Sequence, residues 1–143
     1  MSTLKCPVVT FLLVDDRPEN LVPLEALLRR DGLEILMARS GREALEMLLV
    51  RDVGLAIIDV YMPEMDGFEL AERMRAAPRS REVPIMFITA GIHDPARVFE
   101  GYDAGAVDFL HKPIDPRILR NKADTFFRLD RQRRQLEETL CFH

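Results

Sequence analysis

Five side chains stand where short apolar runs give way to polar residues. Asp15 and Asp16 follow residues 8–14, and Asp59 follows Leu55-Ala56-Ile57-Ile58. Thr89 closes Ile85-Met86-Phe87-Ile88, and Lys112 comes just after Phe109-Leu110-His111. Four apolar residues and then a carboxylate describe a buried strand that emerges into water or a crevice. An unpaired carboxylate inside a sheet is costly, so Asp59 belongs at the strand's exit, within reach of water or a cation. Three carboxylates converging on one crevice repel each other and are stable together only with a cation. Oxygen-only ligands favour Mg2+ or Mn2+ over zinc. A metal and a lysine neutralise oxygen charge, a hydroxyl donates a hydrogen bond, and one aspartate attacks. Such a set suits the handling of phosphoryl groups. It contains neither His nor Cys, which argues against redox chemistry.

The surrounding pattern supplies elements to hold these positions. Residues 8–14 read as a buried strand, broken by Asp15-Asp16-Arg17-Pro18. Pro18 suits a first helical turn, and residues 19–31 carry Leu21, Leu24, Leu27 and Leu28 at helical spacing. Pro23 must lie within the first turn or two, or it kinks that helix. Gly32 is expected to end it. Residues 34–38 form a second strand. Ser40-Gly41-Arg42-Glu43 is a capping box, opening a helix with Ala44, Leu45, Leu48 and Leu49 on one face. Residues 55–59 are the third strand. Asp66-Gly67-Phe68-Glu69 repeats the capping logic for a helix to about Ala77, packing through Phe68, Leu70, Ala71 and Met74. Residues 78–82 read as a polar loop. Residues 84–89 read as the fourth strand, with Pro84 at its tolerated first position. Asp94-Pro95 opens a short helix to about Ala104, ended by Gly105. Residues 107–110 are a short fifth strand, and Asp115-Pro116 caps a last helix that runs towards the C-terminus.

Strand and helix therefore alternate five times. That order implies a parallel sheet covered on both faces, with right-handed crossovers. No G-x-G-x-x-G follows the first strand and no G-x-x-x-x-G-K-[ST] occurs, so nucleotide-binding versions of such a fold lose support.

The length of 143 residues fits one domain with a sizeable core. A net charge of −4 disfavours a bare electrostatic nucleic-acid surface. Cys6 and Cys141 make no disulfide framework, which agrees with a reducing compartment. No apolar run approaches the roughly 20 residues of a membrane span. There is no signal-peptide pattern either. The expectation is a cytoplasmic protein with no membrane insertion and no direct contact with nucleic acid.

Four segments then carry a resemblance. They are Leu12-Leu13-Val14-Asp15-Asp16, the run from Ile57 through Asp59, Pro63 and Gly67, Phe87-Ile88-Thr89-Ala90, and the run from Gly105 through Phe109 to Lys112-Pro113. In this order, and at strand ends, they make the chain resemble the response-regulator receiver domain of two-component signalling, from residue 8 to about 127. The resemblance implies a flavodoxin-like, doubly wound (βα)5 α/β fold. Its five-stranded parallel sheet has the order 2-1-3-4-5, and an extended C-terminal helix follows. Residues 1–127 would form the receiver, and residues 128–143 a helical extension or the start of a linker helix.

The resemblance also implies roles. Asp59 matches the phosphoacceptor, which attacks a phosphohistidine on a sensor histidine kinase or phosphotransfer protein. Asp15, Asp16, Asp59 and the backbone carbonyl of Tyr61 match the ligands of Mg2+, with Mn2+ as a substitute. Thr89 matches the switch hydroxyl, Lys112 the partner of the phosphoryl group, and Phe109 the switch aromatic coupled to Thr89. The Lys112-Pro113 bond is expected to be cis, and Pro63 and Gly67 match loop-shaping positions. Phosphorylation is expected to alter the face built by the fourth helix, fifth strand and fifth helix. That face and the C-terminal helix are the expected routes to a homodimer, and an output domain is expected beyond residue 143. Tyr61 and Gly91 flank the expected route of the hydrolytic water.

Singly, these residues are weaker signals. Asp15 and Asp16 are good helix caps, Thr89 a strand-end hydroxyl, Lys112 a solvated lysine and Phe109 a core residue. The joint pattern is what points to a switch rather than a metabolic enzyme. A phosphatase of the haloacid dehalogenase type uses similar groups but expects Asp-x-Asp, where this chain has Asp59-Val60-Tyr61. A degenerate receiver would not keep the full set of five. His93, His111 and His143 draw no role, with His111 expected to be exposed. Met62, Met65 and Met74 read as packing residues, and residues 79–81 as a solvated loop. Phe126, Leu129, Leu136 and Leu140 share a heptad-like seam with Arg133, over about two heptads.

Overall fold

The computed structural model describes residues 8–90, 103 and 105–141. Five apolar runs form strands β1 (Val9–Val14), β2 (Leu33–Ala38), β3 (Leu55–Asp59), β4 (Ile85–Thr89) and β5 (Ala106–His111). They pair in parallel in the order β2-β1-β3-β4-β5. The described helices are α1 (Pro18–Leu28), α2 (Gly41–Val50), α3 (Gly67–Ala76) and the C-terminal helix α4 (Pro116–Cys141). β1, β3 and β4 are buried along their whole length, as expected of strands covered on both faces.

Alternation along each strand divides the core into two layers. Leu12, Val14, Ile58 and Phe87 point to one side and pack with Ala44 and Leu48 of α2 and Phe68 and Met74 of α3. Phe11, Leu13, Ile57 and Ile88 point to the other and pack with Leu21, Leu24 and Leu28 of α1 and Leu119 and Phe127 of α4. None of the described helices is long and apolar enough to cross a membrane.

The helix starts follow their sequence signals. Ser40 Oγ accepts from the Glu43 N–H at 3.1 Å, and Asp66 Oδ1 accepts from the Glu69 N–H at 2.9 Å. Glu43 reaches back one residue further than a capping box would: its Oε1 accepts from the Arg39 N–H at 2.8 Å. Asp115 Oδ1 accepts from the Arg117 N–H at 2.9 Å, capping α4.

Several expectations are corrected. α1 ends at Leu28, not at residue 31, and the Arg29 N–H closes its last turn on the Glu25 carbonyl. Gly32 lies beyond the helix, in the turn into β2. Its φ of +81° is a left-handed conformation, and its carbonyl accepts from the Val9 N–H at 2.9 Å. Pro23, by contrast, lies in the second turn of α1, within the first two turns as expected, and on its exposed side. Leu49 is 66% exposed and does not share the packing face of α2. Ser80 is buried, because its hydroxyl donates to the Met74 carbonyl at 2.8 Å and closes the end of α3. His111 is half-buried, because β5 runs one residue further than expected and pairs it with Thr89. All of the helix read over 95–104 except Asp103 lies outside the described residues, as do Cys6, Gly91, His93 and His143 and the side chain of Leu140.

Candidate functional site

The polar residues gather at the carboxyl ends of the strands, the edge at which parallel α/β sheets bind ligands. β1 delivers Asp15, whose own N–H extends the ladder to the Ala38 carbonyl (3.1 Å). Asp15 is buried, and its Oδ1 accepts from the Arg17 N–H at 3.0 Å. Sequence reading missed that turn, although an aspartate three residues before a helix-starting proline is a recognisable signal for it. β3 delivers Asp59, locked between neighbours because the next residue, Val60, donates to the Ile88 carbonyl at 2.9 Å. Asp15, Asp16 and Asp59 each offer a carboxylate oxygen within 4.8 Å of the others.

The electrostatics follow from this crowding. Burial pushes the Asp59 carboxyl up to about 6, and the negative charges of Asp15 and Asp16 push the same way. Lys112 and a hydrogen bond with the Tyr61 backbone oppose them. Lys112 places its Nζ 3.8 Å from Asp15 Oδ2. Its backbone N–H donates to the Thr89 carbonyl at 2.9 Å, which extends the β4–β5 pairing by one residue. Among the described residues, three acids and one lysine leave the crevice short of positive charge. The oxygen-only donors at this spacing fit a hard divalent cation such as Mg2+.

The loop after Asp59 is shaped by close contact. The Gly67 N–H donates to the Val60 carbonyl at 2.8 Å. A Cβ on Gly67 would lie 2.6 Å from the Asp59 carbonyl oxygen and 3.0 Å from Val60 Cα, so only glycine fits. Met65 donates its N–H to the Pro63 carbonyl at 2.8 Å, and Glu64 takes a left-handed φ of 69°. A Cβ on Gly41 would lie 2.5 Å from Met65 Sδ, so this loop also sits tightly on the start of α2.

Thr89 ends β4 at the same edge and is buried. Phe109 is half-buried, with ring centroids 5.3 Å from Phe87 and 6.4 Å from Phe68. Tyr61 is 49% exposed beside the crevice. The Lys112-Pro113 bond is cis, as the resemblance implies. The structure thus draws Asp15, Asp16, Asp59 and Lys112 into one crevice. Thr89 closes the neighbouring strand, and Phe109 lies in the layer beneath.

Residues 11–124 match the family described as "Response regulator receiver domain". The chain belongs to that family. Its phosphoacceptor role in two-component signalling is therefore the general setting for this receiver. The receiver is 36% identical over 114 residues to "Transcriptional regulatory protein SrrA" of Staphylococcus aureus, covering 78% of this chain and 46% of that protein. It is 34% identical over 116 residues to a Vibrio cholerae protein named "Probable cyclic di-GMP phosphodiesterase", covering 81% of this chain and 26% of that protein. The receiver thus spans less than half the length of these two relatives. Among solved structures, a response regulator from Chloroflexus aurantiacus superposes with a TM-score of 0.76 at 35% identity, over 84% of this chain and 98% of that one. The chemotaxis protein CheY4 of Vibrio cholerae gives 0.77 at 30% identity, over 83% and 98%. The doubly wound order 2-1-3-4-5 is common to the fold and to these relatives.

Proposed function

We propose that Asp59 accepts a phosphoryl group from a histidine of a sensor kinase or phosphotransfer protein, and that the resulting acyl phosphate switches the receiver's output face. The observation that carries this reading is the crevice itself. A buried carboxylate is crowded by two others, with Lys112 directed at Asp15. In the transfer, an Asp59 carboxylate oxygen attacks phosphorus and the new O–P bond forms as the P–N bond breaks. The electron pair returns to the imidazole, which takes up a proton. Asp59 must be ionised to attack, so labelling falls once pH is low enough to protonate it; burial and the neighbouring acids raise that point, and a bound divalent cation lowers it. Mg2+, or Mn2+ in its place, would be held by Asp15, Asp16, Asp59 and the Tyr61 carbonyl, and supplies positive charge between carboxylates and phosphoryl oxygens. Lys112 pairs with the phosphoryl oxygens and leaves Asp15.

Phosphorylation adds charge and strong acceptor oxygens. In this reading Thr89 donates its hydroxyl to one of them, and Phe109 follows into the space vacated. The face that carries β5 and α4 is changed as a result, a population shift biased by local electrostatics. The chain is then a cytoplasmic switch whose only chemistry is on itself, not a metabolic enzyme. Both long relatives carry much more chain than a receiver, which supports control of an output domain or partner. A homodimer through the switched face or through α4 is part of the same reading.

The test is labelling by a small acyl-phosphate donor, followed by intact mass. Wild-type protein gains one phosphoryl group with Mg2+ and none with a chelator, and Asp59→Asn gains none in either case. Labelling that persists in Asp59→Asn overturns the assignment.

A further inference from the structure

Helix α4 does not lose its hold on the fold where its apolar packing ends. Phe127 is fully buried, whereas Leu129 and Leu136 are 57% and 63% exposed. Between them Asp130 is 7% exposed, an unusual place for a carboxylate on a helix that looks solvated in sequence. It sits on Gly54, the residue just before β3. A Cβ on Gly54 would lie 2.6 Å from Asp130 Cγ and 2.7 Å from Oδ2. Gly54 is itself tied to β1, its N–H donating to the Thr10 carbonyl at 2.7 Å.

The buried carboxylate is fully engaged. Arg133 donates Nε and Nη2 to Oδ1 at 3.2 and 2.8 Å, and Arg134 donates Nε to Oδ2 at 2.7 Å. Arg134 continues to the body of the domain, its Nη2 donating to the Asp52 carbonyl at 3.2 Å. Arg79, from the loop after α3, pairs with the Asp52 carboxylate at 3.1 Å. Exposed pairs within one helix contribute little. This carboxylate differs because it is desolvated in a fitted socket, and losing a partner would leave a buried charge uncompensated.

We propose that Asp130 latches α4 to the start of β3, so that residues to about 137 move as one body with the sheet. The mechanical end of the receiver then lies near residue 137, not at the 127 boundary implied by the family resemblance. The helix is a rigid extension with no hinge after Phe127. Gly54 opens the strand that ends in Asp59, roughly 16 Å away along an extended backbone. The latch and the phosphoacceptor thus occupy opposite ends of one strand.

Hydrogen exchange on the whole chain tests it. In the wild type, amides of residues 128–136 are protected in step with those of 119–127. Asp130→Asn and Gly54→Ala each speed exchange at 128–136 by about tenfold or more, while 119–127 stays within about twofold of wild type. Arg134→Met removes only the links to Asp130 and Asp52, and gives the same local loss should Gly54→Ala fail to fold. Wild-type exchange at 128–136 as fast as in a frayed helix overturns the latch. Variants that exchange like wild type overturn it too.

Discussion

Asp59 is 8% exposed and faces two other carboxylates, so its charge is held in the folded protein at a cost. Its carboxyl stands at about 6 against an ordinary 3.8. The folded value is the higher one, so the neutral form binds its proton more tightly in the folded state. The stability this adds is full below about pH 4 and is lost as pH rises through about 6. In chelator, thermal midpoints of the wild type should therefore fall between pH 5 and pH 7, and Asp59→Asn should remove that fall. At neutral pH the same variant should be more stable by roughly 2–3 kcal/mol. An Asp59→Asn protein no more stable than wild type at pH 7 in chelator would contradict the strain described. Gly67 is the second residue under constraint, through space rather than dihedral angle. Gly67→Ala should cost about 1–3 kcal/mol in urea unfolding, because the new methyl meets backbone that cannot step aside. It should also slow labelling of Asp59, whose carbonyl is the atom displaced.

Arg75 shows how elements, rather than single residues, are held in register. From the last turn of α3 its Nη1 donates to the Ser80, Arg81 and Val83 carbonyls at 3.4, 3.0 and 2.8 Å, and its Nη2 to the Gly105 carbonyl at 2.9 Å. Its partners among the described residues are carbonyls rather than carboxylates, and burial pulls its guanidinium pKa down. The fork thus ties α3 and the start of β4 to the residue before β5. Arg75→Met should cost roughly 1–3 kcal/mol, since several partly buried carbonyls lose their donor. Faster hydrogen exchange at 105–109 would locate the loss. Arg75→Lys should recover only part of it, because one ammonium cannot span the same fan of acceptors. Equal stability of all three proteins would show the staple to be inert. Sequence reading could not find this device, since an arginine four carbonyls away in space leaves no spacing signal. It found strands and helix starts because their causes are local. Apolar runs need two covered faces, and Ser40 and Asp66 cap the amides three residues on. It failed where the cause was tertiary. Leu49 keeps helical spacing yet faces solvent, and Asp130 sits in a polar stretch yet is buried.

Across the whole molecule, the catalytic-looking edge and the latch edge use opposite strategies for buried acids. At the latch, Asp130 is matched by two guanidinium groups, so it is satisfied within the protein. At the crevice, among the described residues, Asp15, Asp16 and Asp59 have one lysine among them, at 3.8 Å from Asp15. The site was legible in sequence because each acid ends an apolar run. The imbalance of charge was not, since it depends on which cations the fold brings near. With that imbalance, a divalent cation held as proposed above would add to the stability of the whole fold. A ligand that binds only the folded state stabilises it as the logarithm of one plus its concentration over its dissociation constant. If Asp59 is a ligand, as proposed above, its proton competes with the cation for the same oxygen. Millimolar Mg2+ should therefore raise the thermal midpoint clearly at pH 8, and the gain should shrink as pH falls through about 6. Asp15→Asn should lose most of the gain at pH 8, while Asp130→Asn, at the far edge of the sheet, should keep it even though its own midpoint is lower. Thermal melts of the three proteins, with and without Mg2+ at pH 5 and pH 8, are the measurement. A midpoint shift of equal size at both pH values, or one that survives Asp15→Asn, would mean that the cation acts somewhere other than this crevice.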